Sequence, residues 1–346
     1  MSSATLTPPF AAKASEGLSG TRWIISRQDD LVWFVGTAVV GYLALMLMSA
    51  GVSLTLLTAV WLLGVDGPHV CGTVTRTYFD TQERRRLGWL LWAILPMLFI
   101  GPIAVYAGQG ALFFLFAVCW QHYHITKQHL GFVMLWKAKN RERDATDMKV
   151  DRWFVLASGV FPLAFFVIKT RLGPSILASL LTVDITVTFS IAILCYALYQ
   201  VHKWRAGKPM NPPKLLLLAA LVPLQWLAFG YAARFGPDGI VRAGIALGLF
   251  HSLQYHRLMW FHNKNRYQTA GAREKHGLAA LLAQKFGYYF AAAAGLYALA
   301  EVIPQTIFSN AWLPAALWGI AFMHYLLDSK IWRVRGDKEL AAALHL

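Results

Sequence analysis

Histidines are the residues of this chain whose type and spacing could do chemistry. Eleven are present, and seven of them lie inside apolar segments, at least six residues before the segment ends. These seven are His69, His122, His124, His129, His251, His256 and His324. Neutral imidazole is the usual protein ligand for iron, copper, zinc and nickel. The seven histidines are therefore candidate metal ligands.

Two aspartates stand beside these histidines in otherwise apolar sequence. Asp66 precedes His69 by three residues, and Asp328 follows His324 by four. Residues three or four apart share one face of a helix. Such a carboxylate can orient the second nitrogen of the imidazole or bind the metal directly, and it can also serve as an interhelical hydrogen-bond partner. Asp66, Asp328 and Tyr255 are the candidate catalytic residues.

The elements that position these residues are predicted to be membrane-spanning helices. The chain of 346 residues is 57% hydrophobic and 14% charged, with a mean hydropathy of +0.46. Soluble domains carry about 25% charged residues, and a span needs about 20 apolar ones. Ten segments qualify: 31–50, 54–75, 88–107, 110–135, 153–170, 176–201, 214–233, 239–262, 279–303 and 309–331. The sequence thus predicts an all-α, polytopic membrane helical bundle of about ten transmembrane helices.

The domain organisation expected from this pattern is simple. Residues 1–30 form a cytoplasmic or interfacial N-terminal arm, residues 31–335 a single transmembrane helical domain, and residues 336–346 a cytoplasmic tail. The arm lacks the basic, apolar and small-residue pattern of a cleaved signal, so we expect an unprocessed chain.

Basic residues give the bundle an orientation. The chain has 32 Lys and Arg against 17 Asp and Glu, a net charge of +15. With ten spans, 28 of the 32 fall on the side that holds both termini. Positive charge concentrates on the cytoplasmic side of membrane proteins, so we expect a multi-pass protein of the inner membrane with both termini in the cytoplasm. The basic excess then indicates orientation, and no nucleic acid partner is expected.

The seven histidines lie near the cytoplasmic ends of even-numbered spans. Those helices run towards the cytoplasm, and their C-terminal ends carry partial negative charge, which favours a bound cation. The other four histidines are expected elsewhere: His202, His262 and His345 at the membrane interface and His276 in a charged loop.

Several enzyme classes are excluded by missing motifs. The chain contains no His-Glu-x-x-His zinc motif, no nucleotide-binding glycine loop and no serine nucleophile elbow. Its three cysteines, Cys71, Cys119 and Cys195, are too scattered for a thiolate site. A thiolate-free imidazole site within a bilayer remains. It fits either non-haem iron or haem b held between paired histidines.

The number of histidines favours non-haem iron, since haem b needs only two. Iron with open coordination positions suits O2 activation. Within each helix the candidate ligands are offset by three to seven residues, about 4.5–10.5 Å along the axis. This spacing fits either two stacked metal ions or one ion with a surrounding layer of supporting residues.

The pattern resembles multi-span, histidine-rich membrane oxygenases, namely the membrane fatty-acid desaturases and hydroxylases and the bacterial beta-carotene dioxygenases. The Gly67-Pro68-His69 turn and the late pair His251 and His256 carry the resemblance. The adjacent His-His pairs of the desaturases are absent, and His251 and His256 are five residues apart where the carotene enzymes have four. The resemblance implies that His69, His122, His251 and His324 are primary ligands of one or two iron ions.

The resemblance also implies an O2-dependent oxidoreductase that acts on an apolar or lipid-like molecule entering from the lipid bilayer. Hydroxylation or desaturation would need an external electron donor protein at the basic face, whereas cleavage by a dioxygenase would not. Two alternatives remain open. One is a b-type haem electron-transfer subunit, and the other is a proton-coupled transporter with a His/Asp relay.

Overall fold

The computed structural model describes residues 20–307 and 312–346, and this part of the chain is helical, with no strand beyond one antiparallel bridge between Asp80 and Gly277. Fourteen helices are numbered along it. They are α1 Arg27–Ser49, α2 Leu54–Thr77, α3 Thr81–Leu87, α4 Leu90–Tyr106, α5 Gly110–Lys139, α6 Ala145–Arg171, α7 Ile176–Arg205, α8 Pro212–Phe235, α9 Ile240–Tyr267, α10 Ala272–His276, α11 Leu278–Leu282, α12 Phe286–Ile307, α13 Trp312–Ile331 and α14 Lys338–Ala343.

The prediction of an all-α fold is confirmed for the described residues. Six helices there, α1, α2, α6, α7, α8 and α12, are long and apolar enough to cross a membrane. A seventh span is possible if α3 and α4, which meet at a 75° bend, count as one. Each of the ten predicted segments overlaps a helix of the described residues, with 279–303 overlapping both α11 and α12, but the count of ten membrane spans is not confirmed. Of the four helices that carry the seven candidate histidines, α2 is among the six, whereas α5, α9 and α13 are not.

The chain divides into two compact units. Of the described residues, the first contains 20–38 and 126–237, and the second contains 39–125, 238–307 and 312–346. In the first unit the start of α1 packs on the end of α5. Buried Asp30 accepts hydrogen bonds from the Trp136 indole at 2.7 Å and from the backbone of Ile24 at 2.7 Å. The rings of Phe34 and Phe132 lie beside this contact with their centroids 4.6 Å apart.

A buried ion network joins the ends of α5, α6, α7 and α8 in the first unit. Asp151 of α6 is bound by Lys214 at 3.0 Å and by Lys137 at 2.6 Å. Asp147 pairs with Lys203 at 2.8 Å and also with Lys137. Buried charges are tolerated when they are paired and hydrogen-bonded. This network therefore fixes the four helix ends relative to one another.

In the second unit, glycines allow α2 to pack closely against two neighbouring helices, α12 and α9. A Cβ atom on Gly67 would lie 2.3 Å from the ring of Tyr297 in α12, and one on Gly72 would lie 2.6 Å from the Tyr289 hydroxyl. On α9, a Cβ on Gly248 would lie 2.3 Å from the Trp61 indole of α2. Small residues allow helix backbones to approach this closely.

The path of α2 changes just before its histidine. The backbone N–H of Gly67 bonds to the carbonyl of Leu62, five residues earlier, which makes one wide helical turn over Leu62–Asp66. Pro68 lacks an N–H and its ring would crowd the carbonyl of an ordinary turn. Wide turns of this kind are frequent at functional sites. Here the turn leads directly into His69.

Helix α13 is held against α4 and the start of α5. A Cβ on Gly319 would lie 2.6 Å from the backbone of Leu98 in α4. From α5, Trp120 stacks on Phe322 of α13 with ring centroids 4.6 Å apart. These contacts position the face of α13 that carries His324.

Candidate metal centre

Four helices of the second unit bring four buried imidazoles together. His69 comes from α2, His124 from α5, His251 from α9 and His324 from α13. Around this ring of side chains the centroids are 4.7 Å apart for His69–His251, 5.1 Å for His251–His124, 4.9 Å for His124–His324 and 4.5 Å for His324–His69. Across it, His69 and His124 are 6.4 Å apart. We call these four residues the histidine cluster.

The ring nitrogens of the cluster lie at distances that a metal ion could occupy. Nε2 of His69 and Nε2 of His251 are 3.1 Å apart. Nitrogens bound to one ion at about 2.0–2.1 Å are about 2.9 Å apart at right angles and about 3.4 Å apart at the tetrahedral angle. Ligand atoms of His69, His124 and His251 all lie within 4.8 Å of one another, as do those of His124, His324 and Asp328.

Three of these histidines have a buried ring nitrogen without a hydrogen-bond partner among the described residues. The atoms are Nδ1 of His69, Nε2 of His124 and Nε2 of His324. A buried polar atom left unpaired costs about 1–3 kcal/mol. Nε2 of His124 and Nε2 of His324, on adjacent rings, therefore join the facing Nε2 atoms of His69 and His251 as atoms suited to a cation, so the residues fit a metal ion.

The second nitrogen of His324 is held by Thr73. The Thr73 hydroxyl lies 2.7 Å from Nδ1 of His324, 3.0 Å from a carboxylate oxygen of Asp328 and 3.0 Å from the hydroxyl of Tyr255. The Tyr255 hydroxyl also donates to Asp328 at 3.2 Å. Thr73 is therefore the centre of a polar group that connects α2, α9 and α13.

This arrangement favours one tautomer of His324. Because a carboxylate only accepts, the Thr73 hydroxyl donates its single hydrogen to Asp328. Thr73 can then accept a hydrogen bond from Nδ1–H of His324. With its proton on Nδ1, His324 carries its lone pair on Nε2, the buried nitrogen that has no partner. A hydrogen bond of this kind fixes the orientation and basicity of a metal-binding histidine.

Asp66 and His256 lie close to the cluster but bond elsewhere. Asp66 accepts a hydrogen bond from Ser252 at 2.7 Å. The ring of His256 is 6.3 Å from that of His69, with Nε2 3.0 Å from the carbonyl of Val65 and Nδ1 3.3 Å from the Tyr289 hydroxyl. Both nitrogens of His256 are thus engaged by hydrogen bonds.

The structure separates the remaining predicted ligands from these groups. His122 and His129 are buried, but neither belongs to either set of close ligand atoms. His122 precedes His124 by two residues and so points about 200° away around α5. His129 lies in the first unit.

Two histidines expected at the surface are buried, and that expectation was wrong. His276 is enclosed where α10 folds back on the start of α3, and its Nδ1 lies 3.1 Å from both carboxylate oxygens of Asp80. His262 is enclosed within α9, near the rings of Trp332 and Tyr267 at 5.7 Å each. The expectation for His276 rested on its charged neighbours in the sequence, and that for His262 on its place at the end of an apolar segment. Neither feature reports how neighbouring helices pack around the side chain.

Sequence reasoning missed Thr73, although its spacing carried a signal. Thr73 follows His69 by four residues, the same spacing that separates His251 from Tyr255 and His324 from Asp328. In each case the second residue lies on the same helix face as the histidine. A hydroxyl at that spacing is ordinary in a helix, so it stands out only once the histidine partner on another helix is known.

Fold and site together define the class of this protein: an all-helical chain with helices apolar and long enough to span a membrane and a buried group of histidines that could hold a metal ion. No protein-family model, no curated protein and no solved structure matches the chain.

Proposed function

We propose that this protein is an integral membrane, non-haem iron oxygenase that acts on an apolar substrate. The single observation that carries the proposal is the buried histidine cluster, in which ligand atoms of His69, His124 and His251 lie within 4.8 Å of one another. Imidazole-rich sites without thiolates suit iron, and an iron ion with open positions would supply the activation of O2.

We infer one iron ion per chain. His124 belongs to both sets of close ligand atoms. A neutral imidazole has one nitrogen that donates a proton and one that offers a lone pair, so His124 can serve one ion only. The ion would be held by His69, His124 and His251, and His324 would complete the set.

The chain's own polar residues would manage protons beside the ion. Asp328 accepts hydrogen bonds from both Thr73 and Tyr255, at 3.0 and 3.2 Å. It is therefore placed to take a proton from the Tyr255 hydroxyl and to return it. Thr73 would keep His324 in the tautomer that leaves Nε2 free. The buried ring of Tyr325, stacked on His124 with centroids 4.4 Å apart, would help to exclude water.

The geometry disfavours haem b. When two histidines bind a haem from opposite sides, the porphyrin occupies the plane between them. His69 and His124 are such an opposed pair, but His251 and His324 fill the space between them at 4.5–5.1 Å. A macrocycle several times the width of an imidazole has no room there.

The proposed substrate enters from the bilayer, as a fatty acyl chain, carotenoid or isoprenoid would. We further propose that the protein lies in the inner membrane with both termini in the cytoplasm, because the basic residues concentrate on that side. Hydroxylation or desaturation would then draw electrons from a donor on the cytoplasmic face.

Metal analysis with an optical spectrum of the purified protein tests the proposal. We expect about one iron per chain and no haem absorption. Stoichiometric haem would establish the electron-transfer alternative instead. The transporter alternative would be established by protein that contains no metal after expression with ample iron and that takes up a solute into vesicles together with protons.

A further inference from the structure

A line of aromatic side chains leads away from the histidine cluster within the second unit. Tyr255 lies against His69 with ring centroids 4.2 Å apart, and Trp332 is 5.9 Å from Tyr255. His262 follows at 5.7 Å from Trp332, and Tyr267 at 5.7 Å from His262. The line thus consists of two tyrosines joined by a tryptophan and an imidazole.

Each of the two tyrosines has a carboxylate within hydrogen-bond distance. The Tyr255 hydroxyl donates to Asp328 at 3.2 Å, and the Tyr267 hydroxyl donates to Asp80 at 2.8 Å. A tyrosine that loses an electron also loses its phenolic proton, so a nearby base makes its oxidation easier. Asp80 is held in position by His276, whose Nδ1 is 3.1 Å from both of its oxygens.

Trp332 has the opposite environment. The guanidinium of Arg76 lies 4.1 Å from the centre of its ring, and its indole Nε1 has no hydrogen-bond partner among the described residues. A positive charge above the ring disfavours a tryptophan radical cation, and the indole has no base to take its proton. Trp332 can therefore pass an electron between the tyrosines but does not retain the radical.

The outer end of the line reaches the surface. Tyr267 lines a cavity of about 430 Å³, and His276 lines another of about 400 Å³. Exposed Lys275 borders the second cavity, where it pairs with Glu339 at 2.9 Å. A one-electron carrier at this surface would be one side chain away from Tyr267.

We propose that Tyr255, Trp332, His262 and Tyr267 form an electron-transfer relay between the histidine cluster and this surface. Electron tunnelling slows steeply with distance, so several short steps between aromatic side chains are faster than one long step. The physiological oxidant of the relay rests on the oxygenase proposed above, whereas the relay itself depends only on these four side chains and their two carboxylates.

Each turnover of the relay moves one electron inward. An oxidant derived from O2 at the cluster, as the proposed oxygenase would supply, takes an electron from Tyr255, whose proton passes to Asp328. The Tyr255 radical takes an electron from Tyr267 through Trp332 and recovers its proton, while the proton of Tyr267 passes to Asp80. A reduced one-electron carrier then gives an electron to Tyr267, which recovers its proton from Asp80. The carrier is oxidised, the oxidant is reduced, and all four side chains are restored.

The relay can be tested in metal-free protein by starting it from the surface. Cys119 and Cys195 are replaced by serine, which leaves only the buried Cys71. A ruthenium polypyridyl photo-oxidant is then attached at Lys275→Cys. After flash oxidation and rapid freezing, we expect two tyrosyl radicals by electron paramagnetic resonance. One should disappear in Tyr255→Phe, and both should disappear in Tyr267→Phe.

Trp332→Phe is the decisive variant. It keeps a ring in place but removes the oxidisable indole, so the yield of the Tyr255 radical should fall by about ten-fold or more while the Tyr267 radical still forms. The persisting Tyr267 radical also shows that the variant is folded and labelled. Trp318→Phe, in α13 and packed on Phe322, is the control and should leave both radicals unchanged.

Absence of the Tyr255 radical in the parent protein, or its undiminished formation in Trp332→Phe, would overturn the relay. Because the measurement uses chelator-treated protein and an artificial oxidant, it is independent of whether iron binds. A failure of the oxygenase proposal would therefore appear in the metal analysis and not here.

Discussion

At the scale of single residues, Thr73 determines the hydrogen bonding of two neighbours, His324 and Asp328. Its hydroxyl separates Nδ1 of His324 from the carboxylate of Asp328, which are themselves 3.7 Å apart. A hydroxyl both accepts and donates, so it can link an N–H to an anion without a direct ion pair. His324 then stays neutral in the form that a metal ion requires.

Replacing Thr73 by valine should weaken iron binding about 10–100-fold. Valine has nearly the same shape but cannot accept from His324 or donate to Asp328. Affinity is measured by competition with a soluble chelator. Thr75→Val is the matched control, because the Thr75 hydroxyl bonds only to the carbonyl of Gly72 in its own helix. Equal iron affinities in the two variants would show that Thr73 does not support the metal site.

The sequence identified the residues of the histidine cluster as candidate ligands, but it ranked one of them, His124, below His122. It drew attention to His69, His251 and His324 because a histidine in an apolar helix is costly, and the structure brings these three together. It favoured His122 over His124, yet the structure places His124 in the cluster. These two lie on different faces of α5, and only the neighbours of α5 in the fold decide which face meets the site.

At the scale of elements, glycines set the distance between α2 and α12. Gly67 and Gly72 are about one and a half turns apart on α2. The space beside each of them is filled by a tyrosine of α12, Tyr297 and Tyr289 respectively. Because Tyr289 also bonds to His256, this contact carries α12 into the surroundings of the histidine cluster. The packing of two helices thereby determines the position of a polar side chain.

Gly67→Ala should destabilise the protein by about 1–3 kcal/mol, since the new methyl would overlap the ring of Tyr297 at 2.3 Å. Thermal unfolding in detergent measures the change. Gly64→Ala in the same helix is the control, because nothing lies within 4 Å of a Cβ there. Similar melting temperatures for the two alanine variants would contradict the close contact.

The short helix α14 is held by a carboxylate that responds to acid. Hydrogen bonds from Gln82 and Lys275, with the charge of Arg266 nearby, lower the pKa of Glu339 to about 2. A depressed pKa in the folded state means that the stabilisation is complete above the unfolded value of about 4.3. It is lost as the pH falls from there towards 2.

Hydrogen exchange in α14 should therefore increase on acidification in the wild type more than in Glu339→Gln, in which the side chain cannot titrate. Comparing the two proteins at each pH cancels the intrinsic pH dependence of exchange. Parallel exchange curves between pH 4.5 and pH 2 would show that Glu339 does not hold the helix.

Elements were the most predictable level of this fold. Long apolar runs predicted ten helical segments, and each of them overlaps a helix of the described structure, because apolar length is a strong signal. The wide turn over Leu62–Asp66 and the short helices α3, α10 and α14 were not predicted, and α11 was predicted as part of one segment with α12. They depend on contacts such as Gly277 with Asp80, which link residues nearly two hundred positions apart.

For the whole molecule, not all basic residues act as orientation signals. Five of them, Arg76, Lys137, Lys203, Lys214 and Arg266, are at most 8% exposed. Three of the five are the lysines of the ion network in the first unit. The basic residues thus fall into two groups: more exposed residues, which the proposed orientation uses, and buried residues such as the lysines that hold helix ends.

Asp151→Asn should destabilise the protein by about 3–5 kcal/mol. The amide leaves the buried ammonium of Lys214 without its counter-charge and weakens the bond from Tyr196 at 2.8 Å. Denaturation in detergent provides the measurement. Asp144→Asn is the control: Asp144 is half-exposed and caps α6, a role that asparagine fills equally well. Equal stabilities would mean that the network contributes little.

Iron content of two alanine variants tests the central claim most directly. His124→Ala removes a member of the histidine cluster, and His122→Ala removes a buried histidine two residues away on another face of α5. With wild-type protein at about one iron per chain, we predict that His124→Ala loses its iron while His122→Ala, equally well folded, retains it. Retention by His124→Ala, or equal loss in both variants, would contradict a metal centre formed by the histidine cluster.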